Sequence, residues 1–411
     1  MLLSRCSPVI TTTPAGASSA PMWGNDNFQE NLGMVQLYPS VQGPGVNPAI
    51  PLGRSVTLNF DILADDYEFL YVKLIHCDYE WRTSNLSELQ YLPVYNEFAI
   101  NDFAYSANTL VNYINYHITL PPVAKSGNYV AVVYRQGESD KPILSRRFLV
   151  FENNVAINAR VQFSSIVSKQ NTHHEIAFDL RYANLEVFNP YSDIKIALLQ
   201  NHNWEGVIKD LKPTVQRIDQ KYLEYYPLNG ENNFPAGNEF RFFDARATQY
   251  RGQNIAAVFP ENGRYVCKLG RDFPRSALPY SGLILDSNGG FRIENTNPGA
   301  NLLESDYLLV DFQLEAPSYD GDVYVSGTFN QWHRDDRNRM TYDPDRQLYT
   351  ARLRLKQGFY DFQYEVGGNN NYEIEGSYRE AENQYEILVY FSDPLGAFDR
   401  IVGYTSLSSR N

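Results

Sequence analysis

The 411-residue sequence is poor in cysteine and has no long apolar run. Its three cysteines, Cys6, Cys77 and Cys267, form no C-x-x-C pair, which excludes a zinc ribbon or a dithiol redox motif. The odd number leaves at least one cysteine without a partner and does not decide the compartment. Because no stretch of about 18 apolar residues exists, we predict no helix that spans a membrane.

Blocks of basic residues are also missing. The formal net charge is −13 and the sequence pI is about 5.0. A chain with this charge repels phosphate backbones, so we predict no nucleic-acid partner. The arginine-rich stretch 334–339 mixes both signs and is typical of a solvated loop.

The motifs of the common enzyme classes are absent as well. The sequence contains no G-x-S-x-G elbow, no phosphate-binding loop and no G-x-G-x-x-G fingerprint. The pair His174-Glu175 begins like the zinc-protease motif H-E-x-x-H, but Phe178 stands where the second histidine is required. We therefore predict no catalytic residue, no metal site and no cofactor. A glycoside hydrolase with carboxylates on distant strands remains the enzymatic alternative.

The chain is rich in residues that favour β-structure. Aromatic residues make up 14% of it, with 31 tyrosines and 23 phenylalanines. Apolar and polar residues alternate along short runs such as 54–60, 155–163 and 348–356, which is the period of a half-buried strand. Turn residues separate these runs at regular spacing. The pattern predicts an all-β protein with three tandem immunoglobulin-like or early-set β-sandwich domains.

The turn-rich stretches place the domain boundaries. Residues 1–33 are rich in Ser, Thr, Pro and Gly without periodicity, and we predict a disordered tail there. The three sandwiches are predicted at 34–152, 153–305 and 306–395. A C-terminal tail is predicted at 396–411.

The first twenty residues resemble an export signal only in part. They carry one arginine and end in small residues, but Arg5, Cys6 and Pro8 interrupt any apolar core of a signal peptide. A degraded leader, a mis-assigned start and an expression remnant all remain open interpretations.

The third predicted unit contains the stretch VYVSGTFNQW from Val323, and residues 322–366 resemble a carbohydrate-binding module of the glycogen-binding type. Such sites need two indole faces that stack on sugar rings, with a cation and an amide nearby. Trp332 matches the first aromatic, Gln363 stands at the position of the lysine, and Tyr372 is the only aromatic near the second tryptophan position. Carbohydrate binding through these three residues is the alternative function. The other interpretation makes Trp332 a structural aromatic.

Five separated blocks carry a wider resemblance. They lie at 35–40, 76–92, 144–152, 188–204 and 234–247. In this order the blocks resemble the type IX secretion system plug protein family, whose members also end in a glycogen-binding-like sandwich. The resemblance covers most of the chain between the two predicted tails.

This resemblance implies a non-catalytic periplasmic protein. Such a plug binds the periplasmic mouth of a large outer-membrane β-barrel translocon and seals the channel while no cargo-carrying partner is bound. It associates with the outer membrane through that partner and has no membrane span of its own. We expect a monomer within a 1:1 complex.

A long, weakly periodic segment at 78–108 is the predicted recognition loop. Trp81, Tyr91, Tyr95 and Phe98 in this segment belong to the residue types that anchor protein interfaces. We predict that these four bind the partner. The alternative is that they only close the first sandwich.

Overall fold

The structure, a computed structural model, describes residues 22–282, 286–367, 372–392 and 398–410. Within these ranges the chain forms 27 strands and two single-turn α-helices, so the predicted all-β class is confirmed. No helix in these ranges is long and apolar enough to cross a membrane. Short 3₁₀ turns lie at Val167–Lys169, Ile218–Gln220, Leu302–Glu304 and Thr328–Asn330.

The first sandwich contains nine strands and the short helix α1, Glu88–Tyr91. The strands are β1 Leu32–Pro39, β2 Ala49–Pro51, β3 Val56–Ile62, β4 Leu70–Cys77, β5 Phe98–Ala99, β6 Asp102–Tyr105, β7 Ile114–Thr119, β8 Gly127–Arg135 and β9 Pro142–Phe151. A four-stranded sheet in the order β1-β3-β7-β6 packs on the sheet that contains β9, β8, β4 and β5. Alternate residues of β4, such as Leu70, Val72 and Leu74, are buried between the two sheets, as the period of two predicts.

The second segment of chain adds seven strands and the helix α2, Pro190–Asp193. They are β10 Ala156–Phe163, β11 His173–Arg181, β12 Ile194–Gln200, β13 Ile208–Lys209, β14 Val215–Arg217, β15 Tyr222–Tyr225 and β16 Asn233–Pro235. One sheet has the order β10-β11-β15-β14, with β16 paired to β11. The alternating run at 155–163 thus forms an edge strand, as its period predicts.

The third sandwich begins earlier than predicted. Its strands are β17 Arg241–Asp244, β18 Ile255–Glu261, β19 Arg264–Leu269, β20 Phe291–Ile293, β21 Tyr307–Glu315, β22 Val323–Ser326, β23 Thr341–Asp343, β24 Leu348–Lys356 and β25 Gly358–Val366. One sheet has the order β18-β19-β21-β24-β23, and β17, β20 and β22 all pair with β25. Phe243 of β17 packs in the same core as Phe312 and Phe362. The predicted boundary after residue 305 is therefore wrong.

The last two strands return to the second sandwich. They are β26 Gln384–Ser392 and β27 Asp399–Ser408, and β26 pairs with β12 on one side and β27 on the other. Ile401 of β27 also pairs with Phe151 of β9, so one nine-stranded sheet runs from the second sandwich into the first. The predicted C-terminal tail at 396–411 is wrong, because Ile401 and Val402 are buried core residues.

The predicted N-terminal tail at 1–33 is also wrong in its described part. Residues 22–31, which we call the N-terminal strap, run along the edge of β9, and residues 1–21 lie outside the described ranges. The strap makes backbone hydrogen bonds from Phe28 N to Ile143 O at 3.0 Å and from Ser145 N to Asp26 O at 3.0 Å. Backbone groups make these bonds, so no side-chain period marks the strap in the sequence.

Candidate functional site

A buried ion pair joins the first and third sandwiches. The ammonium nitrogen of Lys356 lies 2.7 Å from Oδ2 of Asp61, and both side chains are buried. The hydroxyl of Tyr307 donates to the same oxygen at 2.5 Å, and the amide of Asn115 donates to Oδ1 at 2.8 Å. Burial lowers the pKa of Lys356, while the Asp61 carboxylate opposes that shift. The pair is tolerated because each of its members is hydrogen-bonded.

The loop between β6 and β7 strengthens the same junction. The carboxylate of Asp306 accepts backbone hydrogen bonds from Leu110 at 2.6 Å and Val111 at 3.1 Å. The Tyr113 hydroxyl donates to the carbonyl of Leu302 at 3.1 Å. The first and third sandwiches are therefore fixed to each other by polar contacts as well as by apolar packing.

Aromatic side chains join the first and second sandwiches. The rings of Trp81 and Trp204 meet edge to face with centroids 4.9 Å apart, and the guanidinium of Arg147 lies 4.4 Å from the Trp81 centroid. The hydroxyl of Tyr79 donates to the carbonyl of Ile196 at 2.6 Å. These contacts lie on the outer face of the nine-stranded sheet, which continues from one sandwich into the other.

The segment between β25 and β26 joins the third sandwich to the second. The hydroxyl of Ser377 donates to the carbonyl of Thr172 at 2.6 Å, and the backbone nitrogen of Tyr378 donates to the carbonyl of Gly237 at 2.8 Å. Each pair of sandwiches thus has its own hydrogen-bonded junction. The arrangement resists hinge motion, because a hinge at any one junction would break contacts at the other two.

A cleft of about 1610 Å³ lies among the three sandwiches. That volume exceeds the ~300–1,000 Å³ of typical small-molecule sites. Lys356 in its wall is paired with Asp61, and His202 is paired with Glu386 at 2.8 Å. Across the described ranges no group of three or more His, Cys, Asp or Glu side chains could hold a metal ion.

The predicted recognition residues do not form one surface. Trp81 is 1% exposed and Tyr91 is 4% exposed, with the Tyr91 hydroxyl donating to the carbonyl of Leu74 at 3.0 Å. The prediction that these two bind a partner is wrong, because their rings are buried within the chain. Phe98 is half-buried against the first core, and only Tyr95, at 78% exposure, is free to meet a partner.

A cluster that the sequence did not single out lies at the edge of the first sandwich formed by β5 and β6, and Tyr95 lies in the loop before β5. Tyr67 stacks on Phe103 with centroids 4.8 Å apart and meets Phe69 edge to face at 5.2 Å. Phe103 also meets Tyr105 at 6.2 Å. We call these four residues together with Tyr95 the aromatic edge. Its sequence signal is weak, since Tyr67 and Phe69 flank Glu68 in a turn that shows no strand period.

The predicted sugar-binding residues do come together, but around very little space. Trp332, Gln363 and Tyr372 line a cavity of about 70 Å³ whose other wall belongs to the second sandwich. This is far below the ~300 Å³ at the small end of ligand sites. The amide of Gln363 donates to Glu365 at 2.6 Å, so it is already engaged. Trp332 itself is 4% exposed, so its ring offers a sugar almost no face to stack on.

The surroundings of Trp332 favour the structural interpretation. Its ring is buried, with its centroid 5.7 Å from that of Phe240. The ring lies over Gly289, where a Cβ atom would be 2.4 Å from it, and Gly289 has a φ of 78°. A glycine is required there both by the backbone conformation and by the indole.

The loop under Trp332 is held by a carboxyl group that should make stability depend on pH. Oδ2 of Asp361 accepts from the backbone nitrogen of Ser287 at 2.5 Å, and burial raises the pKa of Asp361 from 3.8 to about 7. Since the folded pKa is the higher one, the stability that this proton contributes is complete below about pH 4 and is lost as the pH rises through 7. Thermal unfolding of wild type and Asp361→Asn from pH 4.5 to 8 should show a larger decline in Tm for wild type.

The exposed Asp320 provides the control for this pH series. Asp320→Asn should keep the decline of the wild type. Parallel curves for wild type and Asp361→Asn would contradict the assignment.

The structure so far defines a class: a rigid, three-sandwich protein whose aromatic and charged residues mostly join its domains. Residues 33–152 match the family model described as type 9 secretion system plug protein 1st domain. This match supports the resemblance of the first sandwich to the type IX secretion system plug family. It indicates a plug-related role in that system, an association with one of its components and a periplasmic location. The similarity of the third sandwich to a carbohydrate-binding module is not confirmed.

Solved structures extend the comparison to nearly the whole chain. A hypothetical protein from Parabacteroides merdae is 28% identical, with 94% of this chain and 100% of that chain covered and a TM-score of 0.89. Escherichia coli alpha-2-macroglobulin activated by porcine elastase is 10% identical over 91% of this chain and 30% of that one, with a TM-score of 0.16. A score that low carries no structural argument. No curated protein matches the chain.

Proposed function

We propose that this protein is a non-catalytic plug that binds the periplasmic mouth of the outer-membrane type IX translocon barrel. It seals the channel while no cargo-carrying partner is bound, and it acts as a monomer in a 1:1 complex. The observation that carries the proposal is the match of residues 33–152 to the plug-domain model.

The mechanics of the chain support this role. A seal fails wherever the sealing body bends, and here each pair of sandwiches is joined by hydrogen bonds or ring contacts. Dense aromatic packing makes each sandwich stiff in addition. A stable, specific seal should bury at least ~1,200 Å² in total. The net charge of −13 keeps such a body soluble before it binds.

Carbohydrate binding, the alternative function, finds no support in the geometry. Its three candidate residues line a space of only about 70 Å³ against the second sandwich. Trp332 also borders the large cleft, but it is 4% exposed, so its ring offers a sugar almost no face to stack on.

Deletion of the gene from its host should make the outer membrane more permeable. We expect increased sensitivity to an antibiotic too large for ordinary porins, because the translocon channel would stay open when idle. Expression of the full chain should restore the barrier. Equal sensitivity of the deletion strain and the parent would contradict sealing.

A further inference from the structure

One side of the first sandwich is built from the ends of two sheets. The nine-stranded sheet ends at β5 and the four-stranded sheet ends at β6, and only residues 100–101 separate these two strands. Edge strands offer unpaired backbone groups to other chains, and proteins commonly keep them short where pairing is unwanted. The strands β5 and β6 span only two and four residues, so side chains rather than backbone dominate this edge.

Those side chains are large and apolar, and they face solvent. Phe69 is 65% exposed, Tyr105 48% and Tyr67 41%, in addition to Tyr95 at 78%. At ~150–250 Å² for a whole aromatic side chain, the exposed parts of Tyr67, Phe69 and Tyr105 amount to roughly 230–390 Å² of ring surface, and Tyr95 adds a further exposed ring in the loop before β5. A patch of that size reaches the lower end of the range for the largest patch on a typical monomer, which often has a function.

The rings are also fixed in place before any partner arrives. Tyr67 stacks on Phe103, and Phe103 in turn meets the buried Tyr116 with centroids 6.1 Å apart. The Tyr95 hydroxyl lies near the carboxylate of Glu97. Side chains that are already ordered lose little entropy on binding, which favours a tight interface.

Acidic groups border this surface. Asp66 precedes Tyr67 and is exposed, and the side chain of Asp102, which precedes Phe103, is 78% exposed and lies 3.4 Å from Nδ1 of His117. Glu97 lies beside Tyr95. An apolar centre with an acidic rim is complementary to an apolar surface bordered by lysine or arginine.

We propose that the aromatic edge is the surface through which the plug contacts the translocon, and that it meets an apolar, basic patch on the barrel. This inference rests on the proposed function. The aromatic residues supply the buried centre of the interface, and the acidic rim supplies orientation and association rate.

The test uses the full-length tagged chain and detergent-solubilised outer membranes that contain the translocon barrel. The retained barrel is identified by its peptides, and the native mass of the complex is measured. The second sandwich offers control side chains that are exposed to a similar degree, from 63% to 86%. The edge variant carries Phe69→Ser, Tyr95→Ser and Tyr105→Ser. The control variant carries Phe188→Ser, Ile218→Ser and Leu228→Ser.

Wild type and the control variant should retain the barrel equally, with a mass that fits one copy of each protein. The edge variant should retain at least roughly tenfold less, the effect of losing a hot spot. Circular dichroism and Tm of the isolated edge variant should match those of wild type. A third variant, Asp66→Lys with Asp102→Lys, should also reduce retention, and the loss should be larger at low ionic strength.

The outcomes separate the two proposals. If wild type retains no barrel, the plug function fails and this inference fails with it. If wild type and the edge variant retain the barrel equally, the function stands and the aromatic edge is the wrong surface. If the edge variant loses the barrel but the charge-reversed variant retains it like wild type, the aromatic contact stands and the basic character of the partner patch is wrong.

Discussion

Replacement of Lys356 by methionine should destabilise the folded chain by about 3–5 kcal/mol. The substitution leaves the Asp61 carboxylate buried between two sandwiches with no cation, 2.7 Å from where the ammonium was. Tyr307 and Asn115 still donate to it, but neutral donors do not replace a charge in a low-dielectric site. Urea denaturation followed by circular dichroism should show a lower midpoint.

Two further variants make this prediction specific. The double variant Asp61→Asn with Lys356→Met removes both charges and should recover most of the loss, since a neutral pair has no uncompensated charge. Arg352→Met, in the same strand as Lys356, breaks the half-exposed pair of Arg352 with Asp311 of β21 and should cost only about 1 kcal/mol. A cost for Lys356→Met as small as that of Arg352→Met would contradict the role given to the buried pair.

The same junction shows which parts of the fold could be predicted. The strands at 155–163 and 348–356 can be recognised in the sequence, because the alternation of apolar and polar residues within a strand is a local pattern. The pairing of Asp61 with Lys356 joins positions 295 residues apart, and nothing in either neighbourhood marks it. The return of β26 and β27 to the second sandwich is hidden for the same reason, which is why the C-terminal tail was predicted wrongly. The pairing of β17 with β25 is equally distant in sequence, which is why the boundary after residue 305 was predicted wrongly.

The sequence predicted the types of residue that form the candidate site, but it did not predict which of these side chains are exposed. An aromatic in a weakly periodic segment fits both an interface and a core, and only the packed structure separates the buried Trp81 and Tyr91 from the exposed Tyr95. Tyr67 and Phe69 carry no sequence signal of their own, because Tyr67 stacks on Phe103 of β6 and Phe69 contacts Tyr67, and neither contact is local to a strand. Exposure and ring contacts across strands are tertiary properties.

Trp81, which the sequence predicted to contact a partner, is fixed inside the chain by its backbone turn and by the packing of its ring. Its backbone has a φ of 63°, an unusual conformation for a bulky side chain. The turn that imposes it is closed by hydrogen bonds from Trp81 N to Asp78 O at 3.0 Å and from Arg82 N to Asp78 Oδ1 at 2.8 Å. Backbone strain of this kind persists only where the surroundings stabilise it, and here the stabilising contact is the indole between Trp204 and Arg147.

Trp81→Ala should therefore cost about 3–5 kcal/mol of unfolding free energy, the range for removing a buried large aromatic. Tyr95→Ala, in the same predicted loop, should change stability by less than about 0.5 kcal/mol, because its ring faces solvent. Urea denaturation measures both. Barrel retention should fall for Tyr95→Ala although the chain stays fully stable, whereas for Trp81→Ala it should fall only as the junction between the first two sandwiches loosens. A Trp81→Ala protein as stable as Tyr95→Ala would mean that this junction does not hold the sandwiches together.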